Sequence, residues 1–313
     1  MLKDDDVSIL FCSYNGEKYL KEQLDSIIRQ THTNWTLYIS DDGSTDATLD
    51  IIREYQNKLP ANKLVLLKGP AKGFAENFLS MLKNPHIQSR YYAFSDQDDI
   101  WLDSKLEVAI RAVKQVEKSH ASEFILYGGR TTLINEREEI IGHSATFNRE
   151  FKLENALLQS FSGGNTMLFS HALKSKIEKL PEGIPVVSHD WYLYLICSAF
   201  SGINIYDPEP QILYRQHSNN IVGSNLGLFS KVERLRRLYQ GQFAEWNKIN
   251  QLSLDFYYSE LPRENQNVLD HFYSCREKSA FTRIRCFHAC RSYRQSVIET
   301  YFFYIMNAFG KLF

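Results

Sequence analysis

The 313 residues are 43% hydrophobic, 23% charged and 13% aromatic, a globular composition that excludes a mostly disordered or fibrous chain. Lys and Arg total 36 against 37 Asp and Glu, so the net charge of -1 gives no electrostatic drive toward nucleic acid, and no such partner is expected. The length suits two ordinary domains, or one large α/β domain with an extension.

Met1 to Asp6 is acidic and the apolar run after it is short, so no signal peptide is expected. No stretch reaches the ~18 apolar residues of a membrane span, and a cytoplasmic protein is expected. The run Val7-Ser8-Ile9-Leu10-Phe11-Cys12 predicts a strand ended by the turn signal Ser13-Tyr14-Asn15-Gly16. Leu20, Leu24, Ile27 and Ile28 then recur at helical spacing. Trp35 to Ile39 predicts a second strand, and Asp41-Asp42-Gly43-Ser44 a turn, with Thr45 or Asp46 capping the next helix. Leu64 to Leu67 reads as a third strand and Phe74 to Leu82 as a helix. Tyr91 to Phe94 is a fourth strand, ending at Ser95-Asp96-Gln97-Asp98-Asp99, before a helix carrying Leu106, Ala109, Ile110 and Val113. Such alternation predicts a parallel sheet with helices on its faces, and gathers the three polar turns on its carboxyl edge, where open α/β sheets bind ligands.

From about Phe124 the pattern loosens. Strands are expected near 124–134, 139–141, 165–169, 203–206 and 212–214, and helices over 172–179 and 191–200. After Gly227 the chain reads as helical and basic, with thirteen Lys and Arg against eight Asp and Glu. A basic amphipathic helix can rest on an anionic membrane surface, or pack on the main domain with its charges solvated. The five cysteines include no CxxC pair; Cys286 and Cys290 sit at helical spacing without a histidine pair, so reduced thiols are expected.

Several groups can carry chemistry. Three carboxylates, Asp96, Asp98 and Asp99, repel one another unless an oxygen-liganded divalent cation offsets the cost, although such a run also suits a helix N-terminus. Asp42 at a strand end can accept the imide N–H of a uracil or thymine ring; Asp-Gly also simply builds a turn. Ser13, Tyr14 and Asn15 can grip a base or ribose. His189-Asp190-Trp191 offers a general base and a stacking face for a sugar, or an N-cap and a core tryptophan. His217, in Tyr214-Arg215-Gln216-His217, can ligate a metal or lie solvated on the surface.

Taken in order, these motifs resemble glycosyltransferase family 2 enzymes of the A-type glycosyltransferase fold. The resemblance runs over about 6–222 and includes the region from Gly73 to Asn77 and Gly163-Gly164-Asn165. Asp96-Gln97-Asp98-Asp99-Ile100-Trp101 with Tyr214-Arg215-Gln216-His217 is similar to bacterial polysaccharide rhamnosyltransferases. The resemblance implies an α/β, Rossmann-like, mostly parallel sheet in a catalytic domain over 1–227 (a nucleotide-sugar half 1–120 and an acceptor half 121–227), with a helical extension over 228–313. It implies that Ser13, Tyr14, Asn15, Asp42, Gly73 and Asp96 hold the nucleotide, and that Asp98, His217 and Asp99 hold Mn²⁺ or Mg²⁺, which of the three aspartates touches the ion being left open. Gly163, Gly164, Asn165, His189 and Trp191 would line the sugar and acceptor pocket, with Asp190 as catalytic base.

The implied reaction is an inverting transfer of a sugar, rhamnose from dTDP-rhamnose as the first choice, from a dTDP- or UDP-linked donor. The acceptor would be a lipid-linked oligosaccharide or glycan of a cell-surface polysaccharide. Processive members carry Gln-x-x-Arg-Trp and membrane spans; here Gln211 and Arg215 are spaced otherwise and no Trp follows, so a non-processive enzyme is expected. Two other classes share parts of the pattern. A sugar-phosphate nucleotidyltransferase would want a Gly-rich basic loop, where residues 12–18 offer one Gly and one Lys. An inactive sugar-nucleotide-binding scaffold would survive loss of Asp190.

Overall fold

A computed structural model describes residues 5–217, 240–276 and 279–313. These fall into two compact units. The first comprises 5–146, 162–179 and 203–217; the second comprises 147–161, 180–202, 240–276 and 279–313.

The first unit opens with β1 (Val7–Ser13), α1 (Leu20–Ile28), β2 (Trp35–Asp41), α2 (Thr48–Lys58), β3 (Leu64–Lys68), α3 (Phe74–Lys83) and β4 (Tyr91–Ser95). Every residue of β1 is buried, as expected of a central parallel strand covered on both faces. Its alternate side chains Val7, Ile9 and Phe11 join Leu20, Leu24 and Ile27 of α1 in one apolar core cluster. On the opposite face, Phe94 of β4 meets Phe78 of α3 edge-on at 5.0 Å. After β5 (Ile100–Trp101) come α4 (Lys105–Ser119), β6 (Ile125–Gly129), β7 (Thr132–Ile134) and β8 (Ile140–His143). Then follow α5 (Leu153–Ala156), β9 (Leu168–Ser170), α6 (His171–Glu178), α7 (His189–Ala199), β10 (Ile203–Asp207) and β11 (Ile212–Arg215).

The main sheet has the order β10-β6-β9-β4-β1-β2-β3. It is parallel except for β9, which runs antiparallel to both β4 and β6. The register sets Ser13 opposite Asp41 and Phe11 opposite Ser95, so the three polar turns leave the sheet side by side. A smaller sheet, β5-β11-β7-β8, sets β11 antiparallel to β5, with Leu213 opposite Ile100 and Ile212 opposite Trp101. That pairing carries the segment after β11 back past Asp98 and Asp99.

The second unit is helical. Besides α5 and α7 it holds α8 (Gln242–Tyr257), α9 (Arg263–Ser274), α10 (Ala280–Ala289) and α11 (Val297–Ala308). Apart from Asp190, every residue of α7 is buried, the mark of a helix enclosed on all sides. Asn265 of α9 donates to the Ser198 and Ala199 carbonyls at 3.1 and 2.8 Å, satisfying acceptors at the C-terminal end of α7. This division differs from the break expected at 227: residues 147–161 and 180–202 join the C-terminal helices, because α7 needs apolar partners all round. Among the described residues no helix is long and apolar enough to cross a membrane.

Candidate functional site

The carboxyl edge of the first unit is laced together by side chains capping backbone groups. Asp41, 6% exposed, accepts from the Gly43 and Ser44 amides at 3.1 and 2.9 Å and from Ser13 Oγ at 3.0 Å. Asn15 stands at a φ of 47°, a conformation asparagine tolerates, and its Oδ1 accepts the Thr45 amide at 2.8 Å. The Gln97 amide binds both backbone groups of Tyr14, accepting from N at 2.8 Å and donating to O at 3.0 Å. The first polar turn is thereby fixed to the other two. Tyr14 itself is 57% exposed, its ring open to a ligand.

Asp42 is buried and braced by the loop after β3. Its Oδ1 accepts the Ala71 amide at 2.7 Å and its Oδ2 the Gly73 amide at 2.8 Å. Gly73 has a φ of +91°, suited to a residue without Cβ. Gly69 makes the approach possible: a Cβ there would lie 2.7 Å from Asp42 Oδ1 and 2.8 Å from the Asp41 carbonyl. Each Asp42 oxygen keeps a lone pair for a further donor. The charges of Asp42 and Asp96 both reach buried Cys12 on β1, adding to the burial that pushes its thiol well above the ordinary range.

The acidic turn is where the two sheets meet. His217 Nε2 lies 2.8 Å from Asp98 Oδ2, joining residues 119 positions apart, and both side chains stay partly exposed. Asp99 is turned inward and fully buried. Its Oδ2 accepts from Asn165 Nδ2 at 2.6 Å and its Oδ1 from the Arg215 amide at 3.3 Å. Burial, with the Asp98 and Asp96 charges, pushes its carboxyl well above the usual range, while the Asn165 and Arg215 hydrogen bonds oppose the shift. Asp99 therefore supports the turn from behind, and the donors that face out together are Asp98 and His217. Asn165, expected beside the sugar, is likewise buried against Asp99; Gly164 is buried and Gly163 exposed.

Beneath Asp98 lies a group that sequence reasoning named in a motif without giving it work. Arg215 is 1% exposed, its Nε donates to the Asp98 carbonyl at 3.1 Å, and its guanidinium pairs with Glu22. It also lies 4.5 Å over the Tyr19 ring, which is 5.2 Å from the His217 ring. Lys105 is buried as well, 3.8 Å over the Trp101 ring. Its ammonium has no hydrogen-bond partner among the described residues. Burial pulls it down to about 7, against the opposing charge of Asp99.

His189, Asp190 and Trp191 belong to the second unit, on the first turn of α7. Asp190 is half-buried. Burial pushes His189 down to about 4, with the Asp190 charge opposing, so the imidazole is neutral. Trp191, expected to offer a sugar a stacking face, is only 6% exposed. Its Nε1 donates to the Ala156 carbonyl at 2.7 Å, and its ring meets those of Phe243 and Trp246 at 6.1 and 5.8 Å, so it is a core side chain of this unit.

Comparison with known proteins places the fold and the family. The dTDP-rhamnosyl transferase RfbG of Shigella flexneri is 32% identical over 228 residues, 71% of this chain and 77% of that protein. A UDP-Glc:alpha-D-GlcNAc-diphosphoundecaprenol beta-1,3-glucosyltransferase, WfgD of Escherichia coli, is 37% identical over 105 residues, 33% of this chain and 39% of that one. S. aureus TarS in complex with UDP-GlcNAc superposes over 84% of this chain and 75% of that one, with TM-score 0.51 and 21% identity, a likeness of fold. Residues 8–175 match Glycosyl transferase family 2, so the chain belongs to that family and is a glycosyltransferase of the A-type fold.

Proposed function

We propose that the chain is an inverting, non-processive, divalent-metal-dependent transferase that moves rhamnose from dTDP-rhamnose to a hydroxyl of a bacterial cell-surface polysaccharide precursor. The observation that carries this reading is the Asp98–His217 pair, a carboxylate and an imidazole 2.8 Å apart at the edge where A-type folds hold a nucleotide sugar. Oxygen and imidazole donors, with Asp96 on the same turn, suit Mn²⁺ or Mg²⁺. When bound, such an ion supplies Lewis-acid stabilisation of the departing diphosphate. The choice of rhamnose draws on likeness to the Shigella transferase.

The chain's own residues do the rest. Asp42 offers its remaining lone pairs to the imide of a thymine or uracil, beside Ser13, Tyr14, Asn15, Gly73 and Asp96. Asp190 takes the proton of the acceptor hydroxyl as its oxygen attacks the anomeric carbon and the bond to the diphosphate breaks, a role typically worth ~10²–10⁴-fold. One displacement inverts the anomeric centre. Gly163 and Gly164 are proposed to border the sugar, with His189 beside the base. A lipid-linked acceptor is supported by α11, where Val297, Ile298, Tyr301 and Ile305 form an exposed apolar stripe. With the basic composition of the C-terminal segment, that stripe fits an anionic membrane surface.

Incubating the protein with dTDP- and UDP-sugars, with Mn²⁺, Mg²⁺ or EDTA, tests the proposal. Metal-dependent dTDP release from dTDP-rhamnose is expected, falling roughly 100-fold or more in Asp98→Ala, the kinetic equivalent of a few kcal/mol. Turnover that survives EDTA, or a different preferred donor, overturns the metal or the sugar respectively.

A further inference from the structure

The helical unit brings three cysteines together that the sequence keeps apart. Cys275 caps the C-terminal end of α9, Cys286 lies within α10, and Cys290 caps the C-terminal end of α10. Cys286 and Cys290, one helical turn apart, share a face; α9 and α10 pack with the Phe272 and Phe287 rings 6.1 Å apart and set Cys275 against that face. All three Sγ atoms lie within 4.8 Å of one another and are buried. Cys275 Sγ is 3.9 Å from Cys290 Sγ and 2.6 Å from Cys286 Sγ, and all five cysteines are thiols.

We propose that Cys275, Cys286 and Cys290 form a three-thiolate site for a thiophilic d¹⁰ cation, Zn²⁺ in the first place, that fastens α9 to α10. The geometry supports it. A tetrahedral zinc with Zn–S bonds of about 2.3 Å sets its sulfurs about 3.8 Å apart, close to the Cys275–Cys290 separation. Oxygen is at hand for a fourth position: the His271 carbonyl lies 3.3 Å from Cys275 Sγ and 3.5 Å from Cys286 Sγ. Three thiolates exceed the charge of one Zn²⁺ by a single negative charge, and the sequence around them carries Arg276, Arg283, Arg285, Arg291 and Arg294 against Glu277. The site lies apart from the Asp98–His217 pair in the chain and uses soft donors where that pair uses hard ones.

The test is metal content and a cobalt spectrum of the full-length protein, purified under reducing conditions. One zinc per chain is expected by elemental analysis, falling to background in Cys290→Ser. Because that variant can misfold, Co²⁺ is also titrated into chelator-treated wild-type protein. Intense thiolate-to-cobalt charge transfer with tetrahedral d–d bands, reversed by one equivalent of Zn²⁺, is expected, together with a lower melting temperature after chelation. Zinc no higher than in the triple serine variant, cobalt binding without charge transfer, or a Cys275–Cys286 disulfide that displaces metal in the reduced preparation would overturn the proposal.

Discussion

Arg215 shows how the Asp98–His217 pair is held in register. Its side chain ties the Asp98 carbonyl to Glu22, and its amide reaches Asp99, so one buried residue braces two members of the acidic turn. Lysine keeps the charge and loses the planar fork. Arg215→Lys is therefore expected to cost about 1–3 kcal/mol of stability and to lower turnover more than donor affinity, read by melting and by the kcat and KM of donor release. His189 makes a second prediction. Its imidazole is pushed from 6.5 down to about 4, so below about pH 6.5 the unfolded chain binds a proton the folded chain refuses. Stability is full above that pH and is lost as the pH falls toward 4. Denaturant unfolding is expected to show about 2 kcal/mol lost between about pH 7.5 and pH 5, a loss that His189→Gln removes. At this scale the sequence marked Asp98 and His217 by residue type and motif. Arg215 stood in the same motif but was given no role, since an arginine at the end of a short strand reads as a surface charge until its burial is known.

At the scale of elements, the loop after β3 governs Asp42. Gly69→Ala would press a methyl group against Asp42 Oδ1 and the Asp41 carbonyl, so it is expected to weaken dTDP binding several-fold, with about 1–3 kcal/mol of overpacking cost. Calorimetry with dTDP, beside a melting curve, separates the two effects; unchanged affinity would mean that Asp42 does not meet the nucleotide. The first four strands and the four helices that follow them were legible because apolar runs and helical spacing alternate cleanly there, whereas the two-residue β5 was not expected. The later elements were less so: β7, β8 and β11 span only three or four residues each, too short for periodicity to speak. The antiparallel placement of β9 depends on partners distant in sequence, and so does the β5–β11 register that brings His217 to Asp98.

At the scale of the whole molecule, composition shifts near residue 227, and a linear reading naturally put a boundary there. The contacts divide otherwise, because α7 and α5 find their apolar partners among helices that come much later. The exposed stripe of α11 belongs to this scale too. Ile298 is 83% exposed and Tyr301 68%, on the same side as Ile305. Sedimentation with phosphatidylglycerol vesicles is expected to carry the protein down and phosphatidylcholine vesicles to leave it in solution. The double variant Ile298→Glu, Tyr301→Glu is expected to stay in solution with both. Equal pelleting of the variant would place any membrane contact elsewhere.

The interleaving of the second unit has a consequence for the order of events during synthesis. The ribosome delivers α7 well before α8, α9 and the helices after them. For that interval Trp191 lacks Phe243 and Trp246, and its apolar surface must wait in water or in the keeping of a chaperone. The mixed sheet of the first unit is under no such delay, since its last strand, β11, emerges before α8 begins. The nascent chain therefore completes its main sheet while its helical unit is still open, and is most prone to aggregation over the stretch of translation that separates the two.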